Sequence, residues 1–547
     1  MSSETTIEDL KPLEQMSLKD ENSDLSLVKP PIFDPQNDLH KPINVDINEI
    51  IESLWETRIQ SPIVPRADTA DLERIESSGC PQQGEPIEKV VDNTVSLLKN
   101  YSRHISHPGH FGYLAPQGLR TDPMGFAMTA AMNQNVAMYA SSPLGATLES
   151  TVISWLCELA GYDTTKSSGC LLSGGSTSNL TSLATALAHY YGPEYRRKGL
   201  IQMHIESGEK NLPVLICSES AHFCFQRAAG MLGLGVDNVV TIPNDENFSM
   251  RLDLLEEAVE KYSDENGRGI VCIAATAGTT LTGGLDDLST IHNMCEEKDI
   301  WFHVDAAYGG SALLSSELRP LLKGIQNADS ITMDLHKWFY MSLDCSAILY
   351  KDPKTVKSLF EDTSNKVVKE LSLDSFSKSH LFFLLGPELS RRMRALPLYI
   401  AFQHYGMEKM GKNVLFNVQC AKYLGDRVNE DPELEVVVQS KLSICIFRML
   451  LPKEIQERLV ITNAEEEKKD QDHIDVDAIV DELNCHIRDT LEAEDQFFLS
   501  GAKIHSRPLL RVCIVNYNSR PHHIDQLLVD VKRIGKEWLN KRFGLEM

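Results

Sequence analysis

No run of apolar residues in the chain approaches the ~20 consecutive positions that a membrane-spanning helix requires. The first residues also lack a basic segment followed by an apolar one, which is the pattern of a secretory signal. The first absence excludes a transmembrane helix, and the second argues against export. We therefore expect a cytoplasmic protein that has no membrane as a partner.

The cysteines lack the close pairing that is typical of metal-binding and disulfide-rich proteins. The chain has 12 cysteines, and even Cys217 and Cys224 do not form a CxxC motif. Because no zinc-type spacing is present, we expect no bound metal. Reduced and mostly buried thiols are the simplest interpretation, and they fit a cytoplasmic protein.

Positive charge is also in short supply. The chain has 53 Lys and Arg residues against 78 Asp and Glu residues, which gives a formal net charge of -25. Such a surface repels nucleic acids and anionic membranes, so neither is expected as a partner. The hydrophobic content of 42% is ample for a core, and 547 residues are too many for one small domain.

The patterns that are present divide the chain into four parts. Residues 1–42 are acidic and polar, which predicts a disordered leader. Residues 43–140 show apolar residues at helical spacing before any strand, which predicts an N-terminal helical extension. In residues 141–400 short apolar runs alternate with helical segments, which predicts an α/β large domain around a mostly parallel sheet. Residues 401–547 predict a smaller α+β domain with an exposed, charge-rich loop at 461–473.

The strands of the large domain are predicted from near-continuous apolar runs, which are typical of strands buried on both faces. The runs are residues 212–220, 269–278, 300–308, 330–337 and 345–351. In open sheets of this kind, ligands bind outside the carboxyl ends of the strands. The polar residues that follow these runs are therefore the first candidates for a site.

A glycine turn leads into a hydroxyl cluster and then a helix in the segment 171–191. The cluster is Ser176, Thr177 and Ser178. The start of such a helix attracts an anion through its free N–H groups and its dipole, and hydroxyls add donors to phosphate oxygens. The segment lacks the lysine of a Walker A loop. Taken alone, it also fits an ordinary helix cap.

Two further candidates follow apolar strands. His222 comes just past the first run, where a neutral imidazole could stack on a flat ring, although a lone histidine is more often structural. Asp305 ends the third run, and a carboxylate there is costly to bury unless a cation or strong donor pairs with it. A protonated pyridine nitrogen is such a partner, and an ordinary capping aspartate is the alternative.

Lys337 follows His336 at the end of the fourth run, in surroundings where lysine is rare. A lysine beside a cofactor aldehyde forms a Schiff base, and partial burial is expected to lower its pKa and keep the amine reactive. The alternative is a lysine whose stem covers apolar surface. Together the segments supply a phosphate cradle, a ring stacker, a carboxylate and a Schiff-base lysine, which are the needs of pyridoxal phosphate.

With these segments the sequence resembles the group II pyridoxal-phosphate-dependent amino-acid decarboxylases, which have the fold of type I pyridoxal-phosphate enzymes. The resemblance covers roughly residues 43–547. Its most specific pieces are HVDAAYGGSALL, ADSITMDLHKWFY, DCSAILY, ATAGTT and SGGSTSNL, with Asp305 placed 337 − 305 = 32 positions before Lys337.

The resemblance implies roles for individual residues. Lys337 is implied as the Schiff-base lysine, Asp305 as the partner of the pyridine nitrogen, and His222 as the residue that stacks on the ring. Tyr113 and Pro116 match the segment that lines the substrate pocket, and His222 is implied as a substrate contact as well. The remaining implied cofactor contacts are Ser176, Thr177, Ser178, Thr276, Ala307, Asp334 and His336. A homodimer with active sites at the interface is implied as well, with the N-terminal helices packed on the partner.

The implied reaction is decarboxylation of an L-amino acid to the amine and CO₂. The segment HFGYLAP lacks the NQ pair of the branch that acts on acidic substrates, which favours an aromatic or aliphatic side chain. A transaminase, another pyridoxal-phosphate lyase or an inactive binding protein remain as alternatives. The last of these would require loss of the lysine or the cradle, and both are present.

One departure from the family pattern leaves a closer alternative open. The family usually carries a tyrosine on a loop after the lysine segment, and residues 360–392 contain none. Relatives without it can divert the carbanion to oxygen and release an aldehyde, so a decarboxylating aldehyde synthase is the rival prediction. The stretch offers Phe376, Phe382, Phe383 and His380 instead. His380 is a candidate acid, with an exposed loop histidine as the alternative.

Overall fold

The computed structural model describes residues 45–544 except 61, 64–68, 265–267, 362–379 and 467–474. The predicted leader at 1–42 lies outside the described residues. The helices are α1 Ile47–Gln60, α2 Thr69–Glu76, α3 Ile87–Tyr101, α4 Asp122–Met132, α5 Pro143–Ala160, α6 Gly175–Tyr191, α7 Tyr195–Ser207, α8 Cys224–Met231, α9 Leu252–Tyr262, α10 Leu288–Glu297, α11 Lys354–Phe360, α12 Ala395–Tyr405, α13 Met407–Asn429, α14 Lys453–Glu466, α15 Val476–Ala493 and α16 Pro521–Phe543. The strands are β1 Ser168–Leu172, β2 Val214–Ser218, β3 Val239–Ile242, β4 Ile270–Thr276, β5 Trp301–Asp305, β6 Ser330–Met333, β7 Ser346–Tyr350, β8 Leu434–Gln439, β9 Ile444–Met449, β10 Ser500–Ile504 and β11 Arg507–Cys513.

The first seven strands form one sheet in the order β1-β7-β6-β5-β4-β2-β3. The strands from β6 to β3 pair in parallel, whereas β7 runs antiparallel to both of its neighbours, β1 and β6. This confirms the predicted α/β fold with a mostly parallel sheet. Each of the five predicted runs contains a strand of this sheet. The strands β1 and β3 at its two edges were not predicted.

The central strands are mostly apolar because helices cover both faces of the sheet. Along β2, Leu215 packs on one side with α6 and α8, while its neighbour Ile216 packs on the other with α5, α9 and α10. Along β4, Cys272 and Ile273 divide in the same way. Burial on both faces removes the alternation of polar and apolar residues that a half-exposed strand shows.

A second sheet, in the order β10-β11-β9-β8, is antiparallel throughout. It packs with α13, α15 and α16 around a separate core that includes Leu424, Phe447 and Leu483. The exposed loop predicted for 461–473 is wrong over its first residues, because helix α14 continues to Glu466. No glycine or proline interrupts the sequence there, so nothing ends the helix earlier. Among the described helices, none is both long and apolar enough to cross a bilayer.

A buried ion pair ties α5 to the segment before α12. The carboxylate of Glu149 and the guanidinium of Arg391 are almost completely buried, and Arg391 Nη2 donates to Glu149 Oε1. Glu149 Oε1 also accepts the Leu171 N–H at 2.8 Å, and Arg391 donates to the carbonyls of Leu171 at 2.8 Å and Val136 at 3.0 Å. The pair therefore fixes edge strand β1, which leads directly into the site described below.

We expect Glu149→Gln to destabilise the fold by about 3–5 kcal/mol, because Arg391 would remain buried without its counter-charge. Urea denaturation followed by circular dichroism measures the change. The matched control is Glu408→Gln, which breaks an exposed pair with Lys412 and should change little. Equal effects of the two substitutions would contradict the importance of the buried pair.

Candidate active site

The polar segments predicted from the sequence meet at one edge of the large sheet. Strands β2, β4, β5 and β6 are parallel, and β1 runs in the same direction because β7 is antiparallel to both β1 and β6. Their carboxyl ends therefore lie along the same edge. Each of these five strands is followed there by a segment that contributes to one cavity.

This cavity has a volume of about 390 Å³, within the range of cofactor and substrate pockets. It is lined by Ser173, Gly174, Gly175, Ser176, Thr177, Asn179, His222, Thr276, Gly278, Thr280, Asp305, Ala307, Tyr308, Asp334, His336 and Lys337. The lining contains most of the residues that the sequence singled out. It also contains Asn179, which the sequence interpretation missed.

Lys337 lies in the turn after β6, and its side chain keeps 22% of its surface accessible. Its Nζ lies 3.0 Å from Oδ2 of Asp334, which is nearly buried. Burial alone would lower the pKa of Lys337, but the nearby carboxylates of Asp334 and Asp305 outweigh burial and raise that pKa. The sequence-based expectation of a lowered pKa is therefore wrong, because it counted desolvation and not the two carboxylates.

Asp305 ends β5 and is 5% exposed. Its Oδ1 accepts the backbone N–H of Ala307 at 3.0 Å, and its Oδ2 accepts the side-chain amide of Asn179 at 2.8 Å. These donors stabilise the ionised carboxylate in place of water. Both carboxylate oxygens therefore accept a hydrogen bond from the protein, and the same carboxylate lines the cavity.

His222 lines the cavity from the segment between β2 and α8. Its Nδ1 accepts the N–H of Cys224 at 3.3 Å. Burial is the largest of the effects that lower the pKa of His222 below its ordinary value. The ring is therefore neutral at pH 7, as stacking on a flat cofactor ring requires.

The glycine turn and the start of α6 form the predicted cradle, but only part of the hydroxyl cluster belongs to it. Ser176 and Thr177 line the cavity, and Thr177 Oγ1 lies 3.1 Å from Ser173 Oγ. Ser178 is fully buried, with its Oγ 3.0 Å from Ser346 Oγ and its N–H bonded to the Gly174 carbonyl at 3.0 Å. The prediction that Ser178 contacts phosphate is corrected accordingly, since its side chain faces β7.

Two features of the lining fit pyridoxal phosphate. A Cβ on Gly175 would lie 2.8 Å from Asp334 Oδ2, so a larger residue there would have to displace that carboxylate. Thr276, at the end of β4, has a buried Oγ1 that forms no hydrogen bond within the described part of the chain. An unpaired hydroxyl donor and a helix N-terminus are the groups that a phosphate oxygen would satisfy.

The remaining cofactor candidates also lie on the cavity wall. The buried Ala307 lies two residues beyond Asp305. His336 accepts the Cys345 N–H at Nδ1 at 3.1 Å, and its Nε2 lies 3.7 Å from Asp334 Oδ2. Burial lowers the pKa of His336, so this ring too is neutral at pH 7. Histidine and lysine thus share one carboxylate.

Of the predicted substrate residues, His222 lines the cavity, whereas Tyr113 and Pro116 lie elsewhere within the single chain. Tyr113 is 55% exposed, with its ring centroid 5.3 Å from that of Phe498, and Pro116 is buried. Neither lines the cavity. Phe376 falls outside the described residues. His380 is 5% exposed and packs on Tyr139 at 5.9 Å between ring centroids, so it is not the exposed loop histidine that was the alternative.

A family model for the pyridoxal-dependent decarboxylase conserved domain matches residues 70–450. The chain belongs to this family. Its cofactor is therefore pyridoxal phosphate, and it is a carboxy-lyase whose substrate is an amino acid. The cavity described above contains the lysine, the carboxylate and the glycine turn that this cofactor requires.

The relatives differ in their reactions. L-2,4-diaminobutyrate decarboxylase of Acinetobacter baumannii is 30% identical over 68% of this chain and 72% of its own length. Phenylacetaldehyde synthase of Petunia hybrida is 28% identical over 71% of this chain and 76% of its own length. Among solved structures, mouse CSAD superposes with a TM-score of 0.78 at 22% identity and covers 90% of this chain and 99% of its own. This likeness confirms the predicted fold.

We expect Lys337→Ala to abolish the visible absorption band of protein-bound pyridoxal phosphate, because no amine remains to form the Schiff base. Absorbance spectroscopy of the purified protein measures this. Lys351→Ala is the matched control, since Lys351 is exposed at the end of β7 and should leave the band intact. A full band in the Lys337→Ala protein would refute the assignment.

Proposed function

We propose that the chain decarboxylates an L-amino acid with an aromatic or aliphatic side chain to the amine and CO₂. The observation that carries the proposal is that Lys337 and Asp305 line one cavity from adjacent parallel strands. A Schiff-base lysine and a carboxylate for the pyridine nitrogen are the two marks of a pyridoxal-phosphate site. The proposed roles of individual residues follow from the contacts around this pair.

Pyridoxal phosphate, when bound, supplies an electron sink for the pair released as the C–C bond to the carboxylate breaks. Asp305 is proposed to hold the proton on the pyridine nitrogen, since its charge is fixed by Asn179 and Ala307. His222 is proposed to restrain the ring from the side, as a neutral imidazole. Ser176, Thr177 and Thr276 are proposed to donate to the phosphate.

Asp334 is proposed to accept the proton that Lys337 loses before it reacts with the cofactor. Its Oδ2 lies 3.0 Å from Nζ and raises the pKa of Lys337, which favours the protonated amine at pH 7. Only the neutral amine is nucleophilic, so a proton must leave Nζ before attachment. The carboxylate is within hydrogen-bond reach to accept that proton.

The charges of the cavity lining support a substrate without a side-chain carboxylate. Among its lining residues, Lys337 is the sole lysine or arginine, and it is committed to Asp334 and the cofactor. An acidic side chain would therefore find no other permanent cation there, while Asp305 and Asp334 would repel it. This agrees with the absence of the NQ pair in residues 106–116.

A decarboxylating aldehyde synthase is the second candidate, because residues 360–392 contain no tyrosine to protonate the carbanion. In that reaction the amino acid, O₂ and water give the aldehyde, CO₂, ammonia and hydrogen peroxide. The 28% identity with a phenylacetaldehyde synthase also supports this candidate. Both reactions release CO₂, and only their other products distinguish them.

We expect CO₂ release from L-phenylalanine, L-tyrosine or L-leucine with kcat/KM at least about tenfold above that for L-glutamate or L-aspartate. L-2,4-diaminobutyrate belongs in the same panel. Chromatography should detect the amine, and a peroxidase-coupled assay should detect no hydrogen peroxide. A preference for glutamate or aspartate would refute the substrate proposal. Hydrogen peroxide in stoichiometric amount would show that the chain catalyses the aldehyde reaction and not the amine reaction.

The chain is also proposed to form a homodimer with active sites at the interface. Helices α2 and α3 bury no residue within the single chain. Apolar side chains remain exposed on them, with Ile75 at 43%, Val90 at 41% and Leu98 at 44%. Covering such residues removes apolar surface from water, and a second copy is the partner that the family resemblance implies.

One chain has a mass of 61.2 kDa, and sedimentation equilibrium should therefore give twice this value. Replacing Val90 and Leu98 together by Asp should shift the protein toward the monomer, because burying two charges in the interface is unfavourable. Changing the exposed Lys89 and Glu85 to Gln controls for altered surface charge. A monomer at micromolar concentration would contradict the proposal.

A further inference from the structure

A row of buried polar side chains extends from Asp305 into the interior of the large domain. Asn179 Nδ2 donates to Asp305 Oδ2 at 2.8 Å, and Asn179 Oδ1 lies 3.0 Å from His303 Nε2. His303 Nδ1 lies 2.9 Å from Ser330 Oγ, which lies 2.7 Å from Ser182 Oγ. These residues are each at most 5% exposed. We call them the Asp305 relay.

The direction of the hydrogen bonds is fixed at the end of the relay that lies in the cavity. A carboxylate only accepts, so the Asn179 atom that faces Asp305 is its amide nitrogen. The Asn179 atom that faces His303 is then the carbonyl oxygen, which only accepts. His303 must therefore donate from Nε2, and this ring carries a proton there.

The far end of the relay agrees with that direction. Burial lowers the pKa of His303 to about 4, so the ring is neutral at pH 7. Because its proton is on Nε2, Nδ1 accepts the Ser330 hydroxyl at 2.9 Å, although the Ser330 carbonyl oxygen also lies 3.1 Å from Nδ1 and has no proton to donate. Ser330 Oγ donates its one proton to Nδ1 and has two lone pairs left. One accepts the Trp301 indole N–H at 2.9 Å, and the other accepts the hydroxyl of Ser182 at 2.7 Å. Every donor and acceptor of Ser330 Oγ is thus used.

We propose that Asn179 and His303 are positioning residues, and that the relay holds Asp305 ionised and aimed at the pyridine nitrogen of pyridoxal phosphate. All of its donors point toward Asp305, so each bond polarises the next in the direction that stabilises the carboxylate charge. The inference rests on the proposed role of Asp305. A network with only a structural role would contain the same hydrogen bonds, but its loss would not change the affinity for the cofactor.

The relay is needed because the surroundings of Asp305 supply little other support for its charge. Lys337 is the nearby cation, but it pairs with Asp334 at 3.0 Å. The other titratable groups that act on or near Asp305 are neutral: His222 after β2, Cys224 on α8 and His303 on β5 itself. Two neutral donors, Asn179 and the Ala307 N–H, therefore hold the carboxylate directly.

The test is the affinity for pyridoxal phosphate, measured by adding the cofactor to protein from which it has been removed and following the visible band. Asn179→Asp puts a second carboxylate 2.8 Å from Asp305 Oδ2, so the two carboxylates must share a proton near neutral pH. We expect binding to be at least about tenfold weaker, the worth of a hydrogen bond to a charged group. A new pH-dependent change of the band should accompany it.

His303 offers a conservative pair of variants. Glutamine places an amide donor near the position of Nε2, so His303→Gln should bind the cofactor within about threefold of the unaltered protein. Phenylalanine keeps the ring but removes both nitrogens, so His303→Phe should bind at least about tenfold more weakly. Equal affinities of these two variants, or an unchanged affinity and pH profile in Asn179→Asp, would overturn the proposal.

Asn484→Asp is the matched control for Asn179→Asp. Asn484 is also buried and bonded, to the Met449 backbone at 2.8 and 2.9 Å, but it lies in the C-terminal sheet region. It should lower thermal stability and leave the band and its pH profile unchanged. Should Asn179→Asp not fold, the His303 pair decides. Asp305→Asn distinguishes failure of the relay proposal from failure of the proposed role of Asp305. If this variant binds the cofactor normally, the proposed role of Asp305 itself is wrong.

Discussion

The site depends on the carboxylate of Asp305, which is buried at the end of a mostly apolar strand. Desolvation of a charge is among the costliest events in folding, and Asp305 is 5% exposed. The fold meets this cost with the side chain of Asn179 from α6 and the backbone N–H of Ala307. The position of α6 against β5 is therefore a requirement of the chemistry as well as of packing.

The same helix has two tasks because its residues point in different directions. Ser176 and Thr177 face the cavity, while Asn179 reaches Asp305 and Ser178 reaches Ser346 on β7. Successive residues of a helix are rotated by about 100°, so the side chains from Ser176 to Asn179 are distributed over several directions. The first turns of α6 thus connect the cavity, Asp305 and the antiparallel strand β7.

This geometry explains which parts of the molecule could be predicted from the sequence. Strands buried on both faces are recognisable in the sequence as apolar runs. The residues that follow them, such as His222 and Lys337, must lie at one edge of a parallel sheet. The edge strands were missed because β3 is only partly buried and β1 begins with Ser-Gly. Ser178 was misplaced because a cluster of hydroxyls carries no information about helical rotation. The two-residue spacing of His303 and Asp305 was an available signal, since alternate residues of a strand share a face.

The raised pKa of Lys337 shows why local burial is a poor guide to reactivity in such a cavity. Desolvation favours the neutral amine, but Asp334 and Asp305 favour the ammonium, and their combined effect is larger. Asp334 can itself be buried beside Gly175 of the cradle only because a cation lies 3.0 Å away. Lysine and carboxylate are thus interdependent, because each makes the burial of the other tolerable, and the pKa of Lys337 does not follow from its own exposure.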